Sequence, residues 1–151
     1  MRVPATKLTI SMFAIATVVG YASHFWQWGQ WRLRQSEHPR PSVADLAKQL
    51  KNFPYAESTS LTNSFDRSSS VGAVGTLINN VDPREIVAVF KDELLASGWR
   101  VKRETTEPYP SVSLCRGGIS AAIEPVTTPN GTRTHVGVTW SYYTASSSYC
   151  P

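Results

Sequence analysis

An uncharged run of 21 residues, Leu8 to Trp28 (LTISMFAIATVVGYASHFWQW), constrains this chain more than any other feature. At a helical rise of about 1.5 Å per residue such a run spans a bilayer core of about 30 Å. It lacks the continuous polar face that a helix packed on a globular domain shows, which argues against a place inside a soluble core. Phe25, Trp26, Trp28 and Trp31 gather at its far end, where amphipathic rings favour the lipid headgroup level. Two readings fit. One is an uncleaved signal anchor; the other is a signal peptide cut after the small-x-small pattern Gly20-Tyr21-Ala22. Bulky aromatics directly after Ala22 suit an interfacial belt better than a mature terminus, so the anchor is preferred. The membrane partner is therefore assigned to residues 8–28. No Cys directly follows the run, which excludes a lipoprotein.

Charge alone leaves orientation open, because Arg2 and Lys7 on one flank are balanced by Arg32, Arg34 and Arg40 on the other. The cysteines break the tie. There are two, Cys115 and Cys150, both far beyond the apolar run. An even pair in a small exported domain points to a disulfide and places the C-terminal part outside the cytoplasm. The expected location is the cytoplasmic membrane with a single pass, or the exterior if cleavage occurs near Ala22. The cysteine spacing does not match paired zinc ligands, and the chain holds only three His, so neither a metal site nor a cofactor is expected.

The charge distribution excludes nucleic-acid binding. The net charge is +4, yet from Tyr55 onward eight bases face nine acids. The excess lies before Tyr55, where seven bases stand against Glu37 and Asp45. A nucleic-acid binder concentrates positive charge on its folded module, whereas here it flanks the apolar run, as a membrane surface would favour. With 41% hydrophobic and 17% charged residues the remainder is not a disordered chain.

The organisation expected is an anchor or signal peptide over 1–31, a linker with a short amphipathic helix over 32–57, and a small α+β domain over 58–151. Pro39 and Pro41 mark the linker. Ser42 and Asp45 form a variant capping box before a helix whose apolar stripe is Val43, Leu46, Ala47, Leu50 and Phe53. That stripe would pack on the domain, lie on the bilayer or meet a partner. Ser58 to Ser70 suggests an edge strand, and Val71 to Ile78 a strand whose Gly72 and Gly75 mark a close backbone approach or a bulge. Asp82, Pro83 and Glu85 open a second helix that Gly98 closes, with Ile86, Val87, Val89, Phe90 and Leu94 on one face. Trp99 and Val101 then start a strand with Arg100, Lys102 and Glu104 pointing outward. Period-two runs follow at Val112–Cys115, Ile119–Glu124 and His135–Tyr143, separated by Gly117-Gly118 and Asn130-Gly131. The fold class expected is α+β: a single N-terminal transmembrane helix, then a small antiparallel sheet of about four to six strands with one helix packed across it.

The stretch DPREIVAVFKDELLASGWRV, Asp82 to Val101, resembles a unit of small bacterial exported or membrane-anchored domains of unknown function. There an apolar helix ends in Gly-Trp, here Gly98-Trp99, and feeds a meander of strands. The resemblance covers about Val71 to Tyr143 and implies a fold but no active site.

No pattern supports catalysis. His24 falls in the apolar run, His38 in the linker, and only His135 in the sheet, without an adjoining nucleophile motif. Asp92 and Glu93 are adjacent on a helix and so diverge. The expectation is a non-enzymatic interaction or assembly module of the cell envelope, with an envelope protein as partner. The contact face would be His135 and Tyr143 on the outward side of the sheet, or Leu46 and Leu50 on the helix. The alternative is a secreted or anchored domain that binds a small molecule.

Overall fold

A computed structural model describes residues 22, 25, 26, 28, 29, 38–142 and 146–151. The chain divides into two compact units, Met1–Glu37 and His38–Pro151. In the first, the described residues are helical, and Phe25, Trp26 and Trp28 are exposed. Among the described residues no helix is long and apolar enough to cross a membrane; most of residues 8–28 lies outside them.

The second unit is α+β. It begins at His38, so the helix expected within a linker contributes to the domain itself. Helix α1 spans Val43–Leu50. The Ser42 hydroxyl accepts from the Asp45 N–H at 3.2 Å, and the Asp45 carboxylate accepts from the Ser42 N–H at 3.1 Å, closing the capping box. The Ser42 hydroxyl and backbone N–H together hold the Asp45 carboxyl below the ordinary aspartate range. A single 3-10 turn, Ala56–Ser58, leads into β1 (Ser60–Arg67) and β2 (Ser70–Asn79). Helix α2 spans Pro83–Ala96, with Asp82 capping the Arg84 N–H at 2.8 Å and Pro83 in its first turn. Strands β3 (Arg100–Thr105), β4 (Ser111–Arg116), β5 (Ile119–Thr128) and β6 (Gly131–Ser141) complete the chain.

All six strands form one sheet in the order β1-β2-β6-β5-β4-β3, every neighbouring pair antiparallel. Helix α2 therefore carries the chain from β2 across to the far edge, and the meander β3 to β6 walks back until β6 pairs with β2. The hairpin between β5 and β6 turns on Pro129 and Asn130, with Gly131 after them at φ +114°. This corrects the expected Asn130-Gly131 turn by one residue.

Two helices cover the sheet, where one was expected. α1 lies over β2, β6 and β1, while α2 lies over β5, β4 and β3. Width explains this: a helix with its side chains is about 10 Å across, and strands repeat about every 4.8 Å, so one helix shields only two or three strands. Leu46 and Leu50 fill the space above β2 and β6 and join a core with Phe53, Val71, Leu77, Ile86, Phe90, Val136 and Val138. They are buried, which removes them as an interaction face. Burying each removes apolar surface worth about 2 kcal/mol from water. Phe53 meets Trp99 edge-on at 5.6 Å, tying α1 to the start of β3.

The edge strands carry the irregularities. In β1 the pairing slips between Leu61 and Asn63. Gly72 in β2 sits beneath the Phe65 ring, which occupies the place of a Cβ, so what approaches it is a side chain rather than the backbone expected. In β3 the register slips between Val101 and Arg103, and this second bulge changes which charges face which side.

Candidate functional site

The sheet has a helix-covered face and an open outer face, and the outer face carries the site. Alternation sets its rows: Ser113 pairs with Ala122, Cys115 with Ser120, and Glu124 with His135. Their chain neighbours Val112, Leu114, Ala121, Ile123 and Val136 point into the core. The open side is therefore floored by small hydroxylated or methyl side chains, over which a groove of about 450 Å3 opens.

One wall of the groove is β3 and the other is the C-terminal tail. Cys150 is bonded to Cys115 of β4, with Cα atoms 5.6 Å apart, so the expected disulfide is present and brings the tail onto the outer face. Ser147 and Ser148 line the groove from this side. Lys102 of β3 reaches across and donates from Nζ to the Ser147 carbonyl at 2.8 Å and to the Tyr149 carbonyl. Its ammonium is thus committed to the tail.

Arg103 stands beside it and lines the groove. An undisturbed strand starting at Trp99 would place Arg100, Lys102 and Glu104 outward and Arg103 inward. The extra residue of the β3 bulge moves the alternation by one, so Arg103 pairs with Ser113 on the outer side. Glu104 instead pairs with Val112 on the helix side, where its carboxylate accepts from Lys91 Nζ of α2 at 2.9 Å. This corrects the outward placement of Glu104. It also shows why sequence alternation missed Arg103. Val101, expected to point inward, is 42% exposed on this edge strand.

Charge is divided between the two faces. The ion pairs among the described residues are Arg40–Asp66, Arg84–Glu107 and Lys91–Glu104. Arg116 is also occupied, its guanidinium 4.8 Å over the Trp99 ring and donating to the Ser97 carbonyl at 2.9 Å. By register, Arg100, Arg103 and Arg133 all belong to the outer face, and none takes part in an ion pair among the described residues. Glu124 is the one strand acid on that side, since Asp66 pairs with Val71 and Glu104 with Val112.

Of the residues singled out from sequence, Cys115 and Cys150 belong to the site as its tether. His135 is exposed on the same outer face, next to Glu124, but it does not line the groove. Its Nδ1 lies 3.4 Å from the Thr76 hydroxyl, which in turn meets the Thr62 hydroxyl at 3.2 Å. A polar row thus runs across β1, β2, β6 and β5, and His135 is engaged with Thr76 rather than with a groove serine. Tyr143 lies outside the described residues. Leu46 and Leu50 are on the opposite side of the sheet, in the core. Among the described residues no three His, Cys, Asp or Glu side chains gather closely enough to hold a metal ion.

Among the described residues, the groove offers a guanidinium outside any ion pair, hydroxyls that both donate and accept, and one carboxylate. No family model, no curated protein and no solved structure matches the chain.

Proposed function

We propose that this chain is a membrane-anchored domain of the cell envelope, held outside the cytoplasm, that works by recognition rather than catalysis. The outer face of the sheet around the groove is its contact surface. The observation that carries this reading is the Cys115–Cys150 disulfide, which fixes the tail as one wall of the groove. A bond of this kind persists in oxidising surroundings and is rare in the cytosol. The uncharged run at 8–28 and the exposed rings of Phe25, Trp26 and Trp28 support the anchor, because such rings settle at the lipid interface. With Leu46 and Leu50 in the core, the outer face around His135 is the remaining contact surface foreseen from sequence.

Small-molecule binding is the second reading. It is favoured by the groove volume of about 450 Å3, which lies within the usual span of ligand sites, roughly 300 to 1,000 Å3.

Fractionation combined with thiol labelling of intact cells tests the placement. The expected result is a membrane-bound chain of uncleaved mass whose two thiols react only after reduction. Free Cys115 and Cys150 thiols, shielded together with cytosolic markers, would refute it. A chain lacking its first 22 residues and found outside the membrane would establish the secreted form instead.

A further inference from the structure

We propose that the groove binds a saccharide bearing one anionic group, a carboxylate or a phosphate, with Arg103 as the anion contact. This rests on the outer face being the recognition surface and names what that surface takes. Three observations carry it together.

The first is the separation of charge. The acids of β1 and β3, Asp66 and Glu104, are held in ion pairs on the helix side, while the arginines of the outer face have no such partner. Within the groove Lys102 is spent on tail carbonyls, so Arg103 is the cation left to meet a ligand. A planar guanidinium presents paired donors to the two oxygens of a carboxylate or phosphate.

The second is the floor. Ser113, Ser120 and Ala122 are small, and among the described residues no aromatic or large aliphatic side chain lines the groove. Recognition there proceeds by hydrogen bonds rather than by apolar burial. Serine hydroxyls donate and accept, as sugar hydroxyls do, so the two surfaces complement each other in either sense.

The third is Glu124. It lies two strands and one row away from Arg103, since Arg103 pairs with Ser113, Ser113 with Ala122, and Glu124 follows two residues later. Its carboxylate accepts from hydroxyl donors and repels a second anion. The ligand therefore carries its charge at the β3 end and neutral hydroxyls toward β5.

The test is calorimetric titration of the purified full-length chain at low ionic strength with four probes: a galactose trimer in which one terminal unit is galacturonate, glucose 6-phosphate, the neutral galactose trimer and triglutamate. The trimer with one galacturonate or glucose 6-phosphate, or both, should bind, with affinity falling as salt is added. Which of the two binds more tightly identifies the anionic group. The neutral trimer and triglutamate should bind at least about tenfold more weakly, and Arg103→Ala should cost about tenfold or more against the anionic sugars. Arg103→Lys should recover part of that loss, because it restores charge without the fork. Arg103 is exposed and without an ion pair, so its variants should melt with the wild type, which a thermal scan verifies. Equal binding of the neutral trimer, unchanged affinity in Arg103→Ala, or no binding by either anionic sugar overturns the proposal. Arg103-dependent binding of triglutamate equal to that of the sugars also overturns it, while leaving the outer face as a recognition surface. The placement outside the cytoplasm stands or falls on the thiol-labelling result, which involves no ligand.

Discussion

Replacing Leu46 by Ala tests whether α1 is a structural part of the domain or a detachable contact helix. Leu46 has no exposed surface and packs with Leu50 and Phe53 over β2 and β6. Truncating a leucine in such a place loses its transfer energy and leaves a cavity, a cost of about 2 to 5 kcal/mol, with about 3 kcal/mol as the central value. The folded unit runs from His38 to Pro151, 114 residues. At an unfolding entropy of about 2.1 cal/mol/K per residue, that is about 0.24 kcal/mol/K, so 3 kcal/mol lowers Tm by about 12 °C. The assay is thermal unfolding of the full-length chain followed by near-UV circular dichroism, which reports on the buried Trp99 and Trp140. Lys48→Ala on the exposed side of the same helix is the control and should stay within about 0.5 kcal/mol of wild type. A Leu46→Ala melt indistinguishable from that control would refute the packing of α1 into the core. It would also restore Leu46 and Leu50 as candidates for a contact face.

Three further outcomes are expected. Replacing Cys115 and Cys150 together by Ser removes a cross-link over a sequence separation of 35 and should cost about 3 to 4 kcal/mol. Reductant should lower the wild-type Tm and leave the double variant unmoved; a wild-type Tm indifferent to reductant would count against the bond. Because Ser42 holds the Asp45 carboxyl below its ordinary range, the cap is intact at neutral pH and is lost as pH falls below about 4 through that lowered value. The Tm gap between wild type and Asp45→Asn should therefore close in acid, and a gap that persists to about pH 2 would contradict this. Gly131→Ala should destabilise by about 2 kcal/mol or more, because φ is +114° and a Cβ there runs into the Asn79 carbonyl. Asn130→Ala, at a turn position without positive φ, should cost less than half as much in the same melt.

Much of the fold was legible because its signals are local. Asp82, Pro83 and Gly98 bracket α2 through the chemistry of helix ends, and the outcome was a helix over Pro83–Ala96. Val112, Leu114, Ala121, Ile123, Val136 and Val138 alternate with polar or small neighbours, and all six are buried. The Cys115–Cys150 pair followed from number and setting alone.

What escaped was whatever depends on two distant segments at once. The amphipathic stripe of α1 was visible, but nothing in its own residues says that a six-stranded sheet leaves β2 and β6 uncovered by α2. The groove was hidden for a related reason. Its tail wall exists only because Cys150 and Lys102 draw Ser147 and Ser148 over β4, and its charged wall only because the β3 bulge turns Arg103 outward. In the RVKRET sequence nothing marks where the extra residue falls. A one-residue slip exchanges the two faces, so the alternation that read Arg100, Lys102 and Glu104 as outward passed over Arg103.

The two borders of the sheet are chemically unlike, and that bears on how copies of the domain would meet. β1 offers Ser60 to Phe65 without a single charge, whereas β3 carries Arg100, Lys102, Arg103 and Glu104. Lysines and arginines along a border strand repel an incoming chain that would extend the ladder, so growth by strand pairing is blocked at β3 and opposed at β1 by its bulge and by Asp66 and Arg67 at its end. Five steps of about 4.8 Å separate these borders, about 24 Å in all. Any dimer built edge to edge through β1 would therefore leave both grooves open, one at each distal end of a continuous twelve-stranded sheet.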